Sequence, residues 1–153
     1  MGLETSAVHL LHRAGPRAGD VFSDEMSRVK LTPRQYAVLV SVAENEGLSQ
    51  TGLVERTGID RSTLADIIRR MLRKGLLQRK RTKEDARAYS VRLTEEGRQL
   101  LEAAGPGAAR SEERLLAALP GEQRTAFIAA LAAIVRSIGM SETGRVHDDK
   151  GDM

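Results

Sequence analysis

The sequence predicts a mainly α-helical fold with one small β-ribbon: a winged helix-turn-helix flanked by N- and C-terminal dimerisation helices. Three observations carry that prediction. Residues 61–74 place Leu64, Ile67, Ile68, Met71 and Leu72 on a single stripe at i, i+3, i+4, i+7, i+8, between a capping Asp60 and a terminating Gly75. A shorter helix, opened by Ser49 and closed at Gly58, precedes it. After it, Leu76 and Leu77 open a strand to Arg81, and Tyr89, Val91 and Leu93 alternate with Ser90 and Arg92 on a returning strand.

From the N-terminus, apolar residues recur at helical spacing from Leu3 to Met26, across Gly15-Pro16. The stripe stays in phase on both sides of the proline, which predicts a kinked helix, with a break at Pro16 as the alternative. Next, Thr32 caps a helix with Pro33 at its first position and Gln35 reaching back, a capping box. Tyr36, Leu39, Val40 and Ala43 form the expected buried stripe of that helix. Beyond the ribbon, Thr94 caps a helix whose Glu95 and Glu96 suit its positive end. Gly105-Pro106-Gly107 should kink or break it. Pro120-Gly121 leads into a last helix with Phe127, Ile128, Leu131, Ile134, Val135 and Ile138 on its apolar face. The expected organisation is therefore 1–30, an N-terminal dimerisation helix; 31–93, the winged helix; 94–140, C-terminal dimerisation helices; and 141–153, a polar disordered tail.

Composition narrows the function. Hydrophobic residues, 41% of the 153, suffice for a globular core, but aromatics, at 3%, are too few for a surface that stacks bases. The net charge is only +3. Residues 49–93 carry twelve Lys/Arg against five Asp/Glu, a net +7 that leaves −4 for the rest. Positive charge is concentrated on the predicted winged helix, as duplex binding requires. There is no cysteine, which excludes disulfides and thiolate metal sites. No stretch approaches a membrane span, and the first thirteen residues lack an apolar signal core, so a cytoplasmic protein is expected.

The polar face of the 61–74 helix begins small and ends rich in guanidinium. Arg61, Ser62, Thr63 and Asp66 are the candidate base readers, and Arg69 and Arg70 suit phosphate or guanine. Asp66 has a second reading, as an ion-pair partner of Arg69 or Arg70 one turn on. Ser49, Gln50 and Thr51 open a helix whose N–H groups can hold phosphate. At the ribbon tip, Arg81 and Lys83 add charge, and Asp85 can brace Arg87 for a narrow minor groove. The terminal helices carry more apolar surface than one copy can bury. A two-fold homodimer follows, setting two reading helices about 34 Å apart for an inverted-repeat operator in double-stranded DNA.

The run Ile59-Asp60-Arg61-Ser62-Thr63-Leu64, then Gly75-Leu76-Leu77, the Asp85-x-Arg87 wing and Leu93-Thr94-Glu95-Glu96-Gly97 resembles the MarR family of bacterial transcription regulators. The resemblance spans roughly residues 10 to 138. It implies a dimeric regulator that binds a pseudo-palindromic operator and is often released by a small ligand. Members that sense oxidants use a reactive cysteine, which this chain lacks. Effectors in the family commonly bind between the DNA-binding lobe and the dimerisation helices. On that basis His9, His12, Arg13, Arg17, Phe22 and Tyr36 are the candidate ligand residues, an apolar slot with cationic rims suited to an organic anion. The run Arg13 to Gly19, with Leu31 to Gln35, resembles a subgroup controlling aromatic-acid breakdown, some of which respond to the coenzyme A thioester. A repressor is expected. A winged-helix protein-interaction module and a sequence-independent architectural DNA binder are the competing readings.

No catalytic constellation, Gly-rich phosphate loop or His-Glu-x-x-His motif is visible, so no enzyme activity and no cofactor are expected. His9 and His12 lie three apart on a helix but lack a third ligand, so no metal site is assigned.

Overall fold

The computed structural model describes residues 2–26, 28–81 and 89–145. The chain forms two compact units, Met1–Leu115 and Leu116–Met153. A 3-10 turn at Leu3–Thr5 leads to α1 (Ala7–Glu25), followed by α2 (Pro33–Glu44), α3 (Gln50–Thr57) and α4 (Arg61–Arg73). Strands β1 (Leu77–Arg81) and β2 (Tyr89–Leu93) form the ribbon, and α5 (Glu95–Leu115) closes the first unit. The second unit contains α6 (Gly121–Arg145). This is the expected winged helix with additional helices at both ends.

The predicted caps are in place. On α2, Thr32 Oγ1 accepts the Gln35 N–H at 3.2 Å, and Gln35 Oε1 accepts the Thr32 N–H at 3.1 Å. Helix α4 ends in a Schellman motif: the Leu76 N–H reaches the Met71 carbonyl and the Gly75 N–H reaches that of Leu72, with Gly75 at φ +73°. The turned chain enters β1 at Leu77, one residue later than expected. The antiparallel register pairs Leu77 with Leu93, Arg79 with Val91 and Arg81 with Tyr89. The segment before α3 adds one rung, as the Val91 N–H donates to the Leu48 carbonyl at 3.1 Å.

The core lies beneath the helix-turn-helix. Val38, Leu39 and Val42 of α2 meet Leu53 of α3, Leu64, Ile68 and Met71 of α4, and Val91 of β2. The stripe proposed for α2 holds in part: Leu39 is buried and Tyr36 packs half-buried against the core, but Val40 is half-buried, Ala43 is exposed, and Val38, Ser41 and Val42, outside the stripe, are buried. Helix α2 packs against α1, α3, β2 and α5, so it has no single inward face for a one-stripe pattern to find.

Both proline interruptions lie inside unbroken helices. Helix α1 runs through Pro16, and α5 runs through Pro106, so neither breaks there. Helices α1 and α5 pack together. Glu25 joins them, accepting from Arg110 Nε at 2.8 Å and Arg114 Nη1 at 3.1 Å. These two guanidinium groups hold the Glu25 carboxyl below its ordinary value. At the ribbon, Thr94 Oγ1 donates to the Gly75 carbonyl at 2.6 Å and accepts the Gly97 N–H at 3.0 Å. One hydroxyl therefore caps α5 and fastens it to the end of α4.

The first half of α1 exposes Val8, Leu10 and Leu11, and α6 exposes Phe127, Ile128, Ile134, Val135 and Ile138. Helix α6 continues to Arg145, so residues 141–145 of the expected tail are helical; residues 146–153 lie outside the described residues. No helix among the described residues is long and apolar enough to cross a membrane.

Candidate nucleic-acid interface

The candidate reading helix α4 is positioned by its buried side and by the turn before it. Leu64, Ile67, Ile68 and Met71 are buried, which turns Arg61, Ser62, Arg69, Arg70 and Arg73 outward. In the preceding turn, Gly58 sits at φ +70°, a left-handed position that a residue with a side chain rarely adopts. Thr57 Oγ1 donates to the Leu53 carbonyl at 2.7 Å and accepts the Ile59 N–H at 3.2 Å, while Ile59 plugs into the core. The angle between α3 and α4 is thereby fixed without the polar face taking part.

At the start of α4, Asp60 accepts three hydrogen bonds. Its Oδ1 takes the Thr63 N–H at 2.9 Å and the Ser62 hydroxyl at 2.9 Å, and its Oδ2 takes the Thr63 hydroxyl at 2.7 Å. The Thr63 and Ser62 donors, with the nearby charge of Arg34, lower the Asp60 pKa to about 2. Two candidate base readers, Ser62 and Thr63, are thus tied to a residue read from sequence only as a cap.

One turn on, Asp66 is paired with Arg70 at 3.2 Å and with Arg69 at 3.7 Å. Of its two sequence readings, the structure displays the ion pair. Ser49 caps α3, accepting the Gly52 N–H at 3.1 Å, with Gln50 and Thr51 in the first turn behind it. At the root of the wing, the Arg81 guanidinium lies 5.7 Å from the centre of the Tyr89 ring, within cation–π range. Lys83, Asp85 and Arg87 lie outside the described residues.

Two residues of this face were missed from sequence. Arg34, at the start of α2, lines a groove of about 380 Å³ with Pro33, Ala37, Thr57, Gly58, Ile59 and Asp60. Tyr89 carries the ring under Arg81. Arg34 had no signal in spacing, because only the tertiary fold brings the start of α2 beside that of α4. Tyr89 was visible as a strand residue, but its partner across the ribbon depends on register.

The candidate ligand residues fall into two groups. Phe22 and Tyr36 meet with ring centres 5.5 Å apart and line a crevice of about 560 Å³ with Pro33, Gly105, Ala108 and Glu112. His12, Arg13 and Arg17 line a different depression, on α1, with Leu10, Ala14 and Pro16. His9 is half-buried beside the cap of α1, its backbone N–H donating to Ser6 Oγ at 3.3 Å, and lines neither. Among the described residues that line the crevice there is no Lys or Arg. Among the described residues, no group of three metal-ligating side chains forms.

Comparison with known proteins agrees with this geometry. A profile described as the MarR family matches residues 30–88. Transcriptional regulator HosA of Escherichia coli O111:H- is 33% identical over 128 residues, covering 84% of this chain and 93% of that protein. Among solved structures, BpsR of Bordetella bronchiseptica, whose DNA binding is regulated by 6-hydroxynicotinic acid, superposes with a TM-score of 0.83 at 28% identity, covering 88% of this chain and 96% of its own. The transcriptional repressor CouR bound to a 23-mer DNA duplex gives 0.81 at 32% identity, covering 87% and 94%. CouR has also been solved with p-coumaroyl-CoA.

Proposed function

The chain belongs to the MarR family of transcriptional regulators, and on that premise we propose that it is a ligand-responsive repressor, cytoplasmic, that holds an inverted-repeat operator as a homodimer and releases it on binding an aromatic acid or its coenzyme A thioester. The observation that carries the reading is the two-sidedness of α4, whose apolar side is locked in the core while Arg61, Ser62, Arg69 and Arg70 face out. CouR, of similar fold, is a repressor solved on a DNA duplex.

The homodimer rests on exposed apolar surface. Val8 on α1 and Val135 on α6 are 68% and 69% exposed, and large apolar residues around both are open as well. Pairing with a second copy buries them. Ser49, Gln50, Thr51, Arg61, Ser62, Thr63, Arg69, Arg70, Arg81, Lys83, Asp85 and Arg87 are the proposed DNA contacts.

The effector reading rests on the Phe22–Tyr36 crevice, whose aromatic walls suit a planar ring. Its lining carries Glu112, so the charge of an organic anion needs a cation from outside that lining. Arg13 and Arg17 are the proposed source, with His9 and His12 beside them on α1. BpsR responds to 6-hydroxynicotinic acid and CouR binds p-coumaroyl-CoA, both aromatic acids or derivatives. To shift operator occupancy a hundredfold, the effector must prefer the released form by about 2.8 kcal/mol.

Fluorescence anisotropy with a labelled operator tests the reading. Affinity should fall steeply with salt as counterions are no longer released. Added 6-hydroxynicotinic acid or p-coumaroyl-CoA should displace the duplex, and Arg13→Ala should weaken that displacement. Salt-independent binding contradicts the DNA role. Equal displacement from wild type and Arg13→Ala removes Arg13 from the effector site.

A further inference from the structure

We propose that Asp60 is a specificity-positioning residue: by taking the hydroxyl hydrogens of Ser62 and Thr63, it leaves both oxygens as acceptors, so that α4 selects bases presenting an exocyclic amine. The inference rests on the reading of α4 as the helix that enters the major groove, and adds the chemistry of what it reads there.

The argument begins with donor and acceptor capacity. A Ser or Thr hydroxyl has one hydrogen and two lone pairs, and by rotation it ordinarily serves as donor or acceptor on demand. That freedom makes it a poor discriminator, because it tolerates an amine and a carbonyl alike. An ionised carboxylate can only accept. In each contact with Asp60 the hydroxyl is therefore the donor, and its single hydrogen is committed: Ser62 to Oδ1 at 2.9 Å, Thr63 to Oδ2 at 2.7 Å. What remains for a ligand is lone pairs alone.

The arrangement persists over the working pH range. The backbone N–H of Thr63 gives the carboxylate a third bond, at Oδ1, and the nearby charge of Arg34 also favours the anion. The groove shared by Arg34 and Asp60 places that cation on the same side of the domain as the start of α4. A carboxylate so placed would otherwise repel the phosphate backbone.

In the major groove, adenine offers its N6 amine where guanine offers O6, and cytosine offers its N4 amine where thymine offers O4. Acceptor-only hydroxyls therefore favour adenine over guanine, or cytosine over thymine, on the strand they touch. Replacing Asp60 by Asn gives a sharp contrast. Asn remains a good N-cap, so the helix is retained. Its oxygen can keep the Thr63 N–H and the Ser62 hydroxyl, while its amide nitrogen replaces Oδ2 and must donate to Thr63. The Thr63 hydrogen then turns outward, and its preference inverts towards guanine or thymine.

The experiment selects duplexes from a random pool with the full chain, as wild type, Ser62→Ala, Thr63→Ala and Asp60→Asn. The two alanine variants locate the positions each hydroxyl reads, as those where preference is lost. At these positions, replacing the adenine of the enriched pair by purine, or its cytosine by 2-pyrimidinone, removes the major-groove amine alone and should cost wild type about fivefold, the worth of one hydrogen bond of roughly 1 kcal/mol. Asp60→Asn, still melting in one cooperative transition, should keep the Ser62 position and invert the Thr63 position. Undiminished affinity of wild type for the duplexes lacking the amine overturns the proposal. So does an unaltered Thr63 position in Asp60→Asn, or alanine variants that change no position. A wild-type protein that enriches no sequence defeats the DNA-reading function itself, before any variant is compared.

Discussion

A Cβ on Gly107 would stand 2.7 Å from the carbonyl oxygen of Glu25, so the last turn of α1 sits directly on the backbone of α5. The Glu25 side chain fastens the same junction through Arg110 and Arg114. The contact joins the helix that carries Arg13, Arg17 and Phe22 to one wall of the Phe22–Tyr36 crevice.

Gly107→Ala should therefore destabilise the protein by about 1–3 kcal/mol, because the obstructing atom is backbone and cannot rotate away. Gly19→Ala, inside α1 and not followed by a proline, is the control. Among the described residues nothing beyond its chain neighbours lies within 4 Å of its Cβ position, and replacing a helical glycine with alanine should stabilise by about 0.5–1 kcal/mol. Urea unfolding of the two variants checks the opposite signs.

Glu25→Gln should flatten the acid limb of stability. The folded-state pKa of Glu25 lies below its unfolded value of 4.5. Its contribution is therefore complete above about pH 4.5 and is lost as pH falls through the lower folded value. Asp60 acts in the same direction over a lower window, from 3.8 down to about 2. Unfolding scans between pH 6 and 2 should show a smaller loss in Glu25→Gln than in wild type.

Asp66→Asn should raise affinity for duplex of any sequence, by about two- to fivefold at low salt, the scale of an exposed ion pair. Asp66 holds Arg70 at 3.2 Å and Arg69 at 3.7 Å, and both become available to phosphate without it. If Asp66 instead accepts from a cytosine amine, the variant loses sequence preference and gains no general affinity. Anisotropy with operator and scrambled duplexes separates the two.

Replacing Ile134 and Ile138 together by Glu should convert a dimer into monomers in analytical ultracentrifugation, because their side chains are large, apolar and exposed on α6. Operator affinity should fall with dimer content, while thermal stability of the winged helix is kept.

The parts of the fold legible in sequence were those with one partner side. Helix α4 has a single buried stripe and marked ends, and its period alone identified it. Helix α2 packs against α1, α3, β2 and α5, and its single expected stripe therefore missed Val38 and Val42, which are buried as well. Gly105-Pro106-Gly107 looked like a kink or a break, yet the reason for Gly107 is a helix 82 residues earlier, at Glu25. The motif Leu93-Thr94-Glu95-Glu96-Gly97 has the same kind of explanation. A Cβ on Gly97 would stand 2.1 Å from the Leu76 carbonyl oxygen, so the chain crosses there backbone to backbone. In the candidate interface, residue types were legible because charge and size follow from chemistry. The grip of Asp60 on Ser62 and Thr63 was not, because spacing shows the cap but not the rotamers of the two hydroxyls. Nor was the separation of Phe22 and Tyr36 from Arg13 and Arg17, which the family resemblance had grouped in one slot.

The central claim is that two copies of α4 read one duplex together, and selection of bound DNA from a random pool by the wild-type protein tests it most directly. The account predicts enrichment of an inverted repeat whose half-site centres lie about 10 base pairs, or one helical turn, apart. A single unrepeated half-site, or retention of duplexes with no common sequence, would contradict it.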